Sequence, residues 1–364
     1  MKSDDSPDSN DVFSRPCAKK YGKALDLIDG RVDMTHGGGG KNMSQLVDEL
    51  FIEAFGHELL RSKNDQAVFS VPSGRIVMST DSHVVSPLFF PGGDIGSLSV
   101  HGTINDVAMS GAEPLYLSTG FILEEGFPLS HLKKIVSSMA QAQRESGVPI
   151  VTGDTKVVER GKGDGVFINT TGVGVIRNPN IQISSTNVRP GDKILVSGFI
   201  GDHGVAIMSK RANLDFVTDI VSDSAALHGL VKAMIEAVPC IHCLRDPTRG
   251  GVAATLNEIA HAAGVEMIVE EKLIPVRSAV NAACELLGLD PLNVANEGKL
   301  IAFCRSDDAD RLLAAMRRHP LGENAAIIGE VLAAHDEPLV QIRSPYGGRR
   351  IVHWLAGEQL PRIC

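Results

Sequence analysis

A two-domain protein of mixed α/β or α+β class is predicted by three features of the chain. Short apolar segments of strand length alternate with longer segments whose apolar residues recur at helical spacing. A turn-forming run, Asn187-Val-Arg-Pro-Gly-Asp192, divides two such series. The 364 residues suffice for roughly two domains at the usual ~150 residues each.

Residues 1–30 are polar and weakly patterned and are expected to be a disordered extension, with structure beginning near Val32. The first domain is expected over 31–185. It opens on His36-Gly-Gly-Gly-Gly40, followed by Met43, Leu46, Val47, Leu50, Phe51 and Phe55 at amphipathic-helix spacing, with Ser44 a candidate cap. Strands are expected at Ala67–Val71, Ile76–Ser79, Tyr116–Ile122, Ile150–Thr152 and Val166–Val175, with helices at Leu98–Ser110 and His131–Ser146 between them. The second domain is expected over 186–343. It starts with the strand Lys193–Ser197 and carries helices near Ala225–Ala237, Thr248–Ala263, Val276–Leu287 and Asp308–Arg318. Residues 344–364 are expected to form a flexible tail, its last stretch from Gly357 too short and polar to build a core element.

Composition narrows the function. The net charge is −9 and no Lys/Arg cluster stands out, which argues against nucleic-acid binding. No apolar run approaches the ~20 residues of a membrane span. Six scattered cysteines and a start without a signal-peptide pattern point to the reducing cytoplasm.

Three acidic residues share one context. Asp81 and Asp154 follow predicted strands, and Asp106 lies in Asn105-Asp-Val-Ala108. Such carboxylates near strand ends suit Mg²⁺, which takes one or two of them plus phosphate oxygens. Lys156, beside Asp154 and Thr155, suits a phosphate. Each Asp alone is equally at home in a turn or cap. The glycine loop with Gly38 and Gly39 allows backbone N–H groups to approach phosphates or acts as a hinge. It is not a Walker A motif, because Asn42 follows Lys41. In Arg245-Asp-Pro-Thr-Arg-Gly-Gly251, Asp246 or Thr248 is a candidate helix cap. Glu297, in Asn296-Glu-Gly-Lys299, is a general base or a partner of Lys299. His203 reads as structural. Cys240-Ile-His-Cys243 lacks a second ligand pair for zinc, so its thiols read as structural or incidental, as do Cys17, Cys284 and Cys304. At the C-terminus, Cys364 is a chance terminal thiol or a covalent carrier. The eight residues from Gly357 reach up to ~27 Å when extended.

These motifs resemble those of the HypE family, the carbamoyl dehydratases of nickel–iron hydrogenase maturation. The matching residues are His36–Gly40, Ser79–Ser82, Pro87–Gly93, Asn105–Ala108, Gly120–Glu125, Ile150–Lys156, Gly201–Gly204, Asp246–Gly251, Asn296–Lys299 and the terminal Pro361-Arg-Ile-Cys364. The first ~30 residues lie outside the match, and no family role is carried to Cys240 or Cys243. The resemblance implies a two-domain fold like that of aminoimidazole ribonucleotide synthetase, with ATP binding and homodimer formation in the N-terminal domain. It implies ATP and Mg²⁺, a HypF-like carbamoyltransferase that loads Cys364 from carbamoyl phosphate, and a HypC–HypD-like complex that receives cyanide. It further implies that Asp81, Asp106 and Asp154 hold the metal and that Lys156 stabilises phosphate or oxyanion charge. Glu297 would accept a proton, and His36, Gly38, Gly39, Asn105, Thr155 and Asp246 would complete the nucleotide site. Two rivals are a small-molecule kinase of the same fold and a non-catalytic maturation scaffold. A selenophosphate synthetase would need a Cys or selenocysteine near the glycine loop, where Lys41-Asn42-Met43 stand instead.

Overall fold

The computed structural model describes residues 21–211, 220–354, 357 and 360–364. Four strands form the first sheet: β1 (Arg75–His83), β2 (Glu113–Glu124), β3 (Ile150–Val158) and β4 (Val166–Ile176), in the order β1-β4-β2-β3. β4 is antiparallel to β1 and β2, whereas β2 and β3 are parallel. Helices α1 (Ile95–Met109) and α2 (Leu129–Ser146) are the two long helices of this half, and α2 supplies the crossover a parallel pair requires. Asp94 caps α1 by accepting from the Gly96 and Ser97 N–H groups, and the Ser97 hydroxyl reciprocates. Gly174 lets α1 lie close to the sheet, since a Cβ there would meet Val107 Cγ1 at 2.5 Å. α2 buries the stripe Leu132, Ile135, Val136 and Met139 and ends at Gly147 in the left-handed conformation.

The second sheet has seven strands: β5 (Lys193–Val196), β6 (Cys243–Arg245), β7 (Val265–Glu270), β8 (Ile301–Cys304), β9 (Ala326–Ala334), β10 (Val340–Arg343) and β11 (Arg349–Ile351). Their order is β11-β10-β7-β9-β5-β8-β6. The helices of this half are α3 (Asp202–Arg211), α4 (His228–Ala237), α5 (Gly251–Ala263), α6 (Ser278–Leu287) and α7 (Ser306–Arg317). Strand alternation divides the core. Ile194 and Val196 face α5, while Leu195 faces Leu230 of α4 and Leu312 of α7. Both faces of this sheet are therefore covered.

Several expectations are corrected. Ala67–Val71 is irregular, not a strand. The first helix begins at Lys41 with Gly40 as its cap, so Ser44 lies inside it, and the run widens to a π-helix at Val47–Ile52. Order begins before Val32: Leu25 and Leu27 pack on the core, and the Leu25 N–H donates to Glu49. Of the expected extension, residues 1–20 with Cys17 lie outside the described residues. The stretch from Gly357 does contribute to the core, because Leu360 and Ile363 are buried in it. An apolar side chain at every third residue suffices once a groove receives it.

Candidate active site

Period-two alternation along β1 turns Ser79, Asp81 and His83 towards the helices and leaves Ile76 and Met78 outward, 53% and 70% exposed. The Ser79 hydroxyl donates to Asp106 Oδ2 of α1 at 2.8 Å. His83 is buried, with Nε2 3.5 Å from Asp81 Oδ2. Asp81 and Asp106 thus share one wall.

The second half supplies the facing wall from three loops. Asn296 ties them: its Nδ2 donates to Pro247 O at 2.9 Å, and its Oδ1 accepts from the Gly201 N–H at 2.7 Å. Asp223 accepts the Glu297 N–H at 3.0 Å and pairs with Lys299 at 3.1 Å. Gly298 is required at this crossing, since a Cβ there would lie 1.7 Å from Asp223 O. Asn105 of α1 fastens the walls together. It donates to Ala225 O and Glu297 O at 3.0 and 3.1 Å and accepts the Leu227 N–H at 2.7 Å. The structure gives Asn105 this bridging task.

The carboxylates repel one another in a place with little water. Burial, reinforced by Asp246, Asp223, Asp81 and Asp106, pushes the Glu297 carboxyl well above its ordinary range. Its Oε1 is buried without a hydrogen-bond partner. Asp246 keeps some surface open while its carboxyl is ringed by protein; burial first, then Asp106, pushes it to about 7. Burial likewise raises Asp106. Arg245 and Arg249 are the cations that act on Asp106. An orphaned carboxyl oxygen among mutually repelling acids fits a divalent cation. Among the described residues no three His, Cys, Asp or Glu side chains form a ready cage, which agrees with the habit of Mg²⁺ of completing its shell with phosphate and water.

Asp154 is not part of this group. Through the pairings Asp81–Thr170, Thr170–Thr119 and Thr119–Gly153, Asp154 falls one residue out of phase, on the outer face of the sheet. Three strand spacings also separate it from β1, roughly 14 Å. Lys156 holds it through both oxygens at 2.6 and 2.7 Å, which keeps the Asp154 carboxyl below its usual range. Thr155, between them, is buried. The glycine loop packs beside this strand, since a Cβ at Gly37 would meet Val157 N at 2.7 Å. Gly39, with φ +76°, and Gly40 border open space, and Gly38 precedes them. His36 is buried, and its Nδ1 accepts the Asp33 N–H at 3.0 Å. Within one chain the expected metal trio is therefore divided into Asp81 with Asp106, and Asp154 with Lys156.

The tail ends against the segment that follows β1. Cys364 O accepts the Val84 N–H at 3.2 Å, one residue beyond His83. A cavity of about 360 Å³ beside it is lined by Arg249, Gly250, Asn293, Trp354, Leu360 and Ile363. Among the other expectations, Glu297 does not pair with Lys299, whose partner is Asp223. Neither Asp246 nor Thr248 caps α5; Gly250 occupies that position at φ +74°. Cys240 is exposed, Cys243 is buried in β6, and His242 pairs with Asp192. Sequence reasoning missed His83, Asp223 and Arg249 as site residues. His83 was accessible from alternation with Asp81, whereas Asp223 sits in an irregular segment with no periodic signal.

Residues 63–176 match the family described as AIR synthase related protein, N-terminal domain, and residues 189–340 match AIR synthase related protein, C-terminal domain. The chain is 65% identical to carbamoyl dehydratase HypE of Azotobacter vinelandii over 340 residues, 93% of this chain and 99% of that one. A crystal structure of the hydrogenase maturation protein HypE in complex with ATP superposes with a TM-score of 0.87 at 49% identity, covering 91% of this chain and 99% of that one. A crystal structure of a HypE–HypF complex aligns at TM-score 0.74 and 50% identity, covering 85% and 99%.

Proposed function

The chain belongs to the HypE family of carbamoyl dehydratases, and from that premise we propose that it converts an S-carbamoyl group on Cys364 to a thiocyanate with ATP. The likeness to a HypE–HypF complex supports a HypF-like carbamoyltransferase as the donor, and the likeness to an ATP complex supports the nucleotide. In the balanced reaction, the carbamoyl oxygen leaves on the γ-phosphoryl group as phosphate. The nitrogen loses two protons, and S–C(=O)–NH₂ becomes S–C≡N. ATP with Mg²⁺ supplies the phosphoryl group that makes this oxygen a leaving group.

The chain's own residues bind, orient and move protons. Asp81 and Asp106 would hold Mg²⁺, and Asp246 would complete the anionic wall. Glu297 accepts a proton from nitrogen, a role that needs an approach of ~3 Å and a cation nearby to draw its raised pKa down. Lys156, with Asp154, Thr155 and the loop of His36, Gly38 and Gly39, serves the phosphates. Asp154 and Lys156 lie on the sheet face that leaves Ile76, Met78 and Ile122 exposed. We assign that face to a homodimer, which places Asp154 and Lys156 at the interface between copies. Cyanide would pass to a HypC–HypD-like complex in the cytoplasm. No described helix is long and apolar enough to cross a membrane.

Two observations support this reading: the Cys364 main chain docks at the end of β1, the strand that carries Asp81, and the buried Glu297 Oε1 lacks a hydrogen-bond partner. Incubation with carbamoyl phosphate, ATP and a HypF-like protein should load Cys364 with a carbamoyl group or the thiocyanate made from it, and should load nothing onto Cys364→Ala. Modification of another residue would sink the carrier role.

A further inference from the structure

Helix α3 meets the tail at both of its ends, through two side chains that the reaction itself does not need. At its start, His203 is fully buried. Its Nε2 lies 2.8 Å from Ile363 O and its Nδ1 lies 2.7 Å from Ser222 Oγ. A carbonyl only accepts, so Nε2 carries the hydrogen, and Nδ1 of the neutral ring accepts from the Ser222 hydroxyl. Ser222 Oγ in turn accepts the Ser224 N–H at 3.1 Å. Phe90 packs edge-on against the ring with centroids 5.6 Å apart.

At the other end of α3, the Arg211 guanidinium joins two chain segments. Its Nε and Nη2 donate to Ser86 O at 3.0 and 2.6 Å. Its Nη1 donates to Pro361 O at 2.8 Å, and Nη2 also reaches Arg362 O at 2.9 Å. The same segments already pair through Ser86 N–H to Arg362 O at 3.1 Å and Arg362 Nε to Val84 O at 2.9 Å. Arg362 adopts φ +54°, a left-handed conformation that costs a non-glycine residue steric energy. The docked turn therefore needs external contacts to persist.

We propose that Arg211 and His203 are positioning residues that form a latch on the main chain of residues 361–363 and hold Cys364 in the cleft. The carbonyls they grip are the same whether the sulfur bears hydrogen, carbamoyl or cyanide. One latch thus serves every loading state, and the strain at Arg362 keeps the docked state reversible. The importance of the latch rests on Cys364 being the carrier, but its existence is tested without donor or ATP.

The experiment alkylates the full-length protein with iodoacetamide and follows Cys364 and the exposed Cys240 separately by mass spectrometry, with Cys240 as the internal reference. Arg211→Ala should raise the Cys364 rate relative to Cys240 at least about tenfold, the factor carried by one charge-assisted hydrogen bond. Arg211→Lys should raise it less, since an ammonium cannot span Ser86 O and Pro361 O as a planar fork does. Ser222→Ala should raise it by removing the partner that fixes the His203 tautomer. An unchanged Cys364 to Cys240 ratio in folded Arg211→Ala overturns the latch. If that variant melts early, the ratio in Ser222→Ala decides by the same criterion. Failure of Cys364 to load in the unaltered chain would refute the carrier reading and leave the latch standing.

Discussion

Two acidic groups lie on opposite faces of one four-stranded sheet, and they are different chemical objects. Asp154 is 63% exposed and held by Lys156, so its charge is satisfied locally and screened by water. Asp81, Asp106, Asp246 and Glu297 face each other across two halves of the chain, and burial raises the last three. Equal residue types acquire unequal roles from strand position and phase together: Asp154 points outward three strands from β1 and remains an exposed ion pair, while Asp81 points inward and joins the repelling cluster. In the proposed function the buried group holds the cation and the exposed pair serves the phosphates.

The largest effect should come from Glu297→Gln. The variant should still accept carbamoyl on Cys364 but form nitrile roughly 10³-fold more slowly, within the range for loss of a general base. Normal dehydration would remove Glu297 from the chemistry. Asn105→Ala comes next, since it strips three hydrogen bonds from the wall itself. It should cost about 3 kcal/mol in urea unfolding, because buried partners are left unpaired. A change under about 1 kcal/mol would mean that the halves are joined by packing alone.

Asp246→Asn sharpens the contrast through pH. The folded-state value near 7 lies above the ordinary 3.8, so the folded protein binds the proton more tightly than the unfolded chain. Stability from this group is complete below the ordinary value, is lost as pH rises through the folded value, and is level above it. Thermal melts of the wild type should show that decline, Asp246→Asn should flatten it, and Mg²⁺ should oppose it at the alkaline end. An identical pH profile in both proteins would contradict the repulsion. The smallest effect belongs to Asp154→Asn. Loss of an exposed ion pair should shift unfolding by less than about 1 kcal/mol, while ATP-dependent turnover falls. A larger loss of stability would make the pair structural.

Much of the first half was legible because its elements carry clear periods. Ile135 and Met139 repeat at helical spacing, and β1 alternates from Val77 to His83. In the second half, β8 is four consecutive buried residues, Ile301–Cys304, a run that periodicity cannot distinguish from part of a helix. The motif residues Asp81, Asp106, Asp246 and Glu297 were all named from sequence, but their division from Asp154 was not, because it depends on strand register. The seat of the tail was illegible for a different reason: Leu360 and Ile363 look like isolated apolar residues until a groove made by distant segments receives them.

The most direct measurement is a single turnover of S-carbamoylated protein with ATP and Mg²⁺, followed by intact mass and phosphate release together. Loss of one water from the Cys364-bound group with one phosphate released per chain is the expected result. Phosphate release while the carbamoyl group persists on the cysteine would contradict dehydration in this cleft.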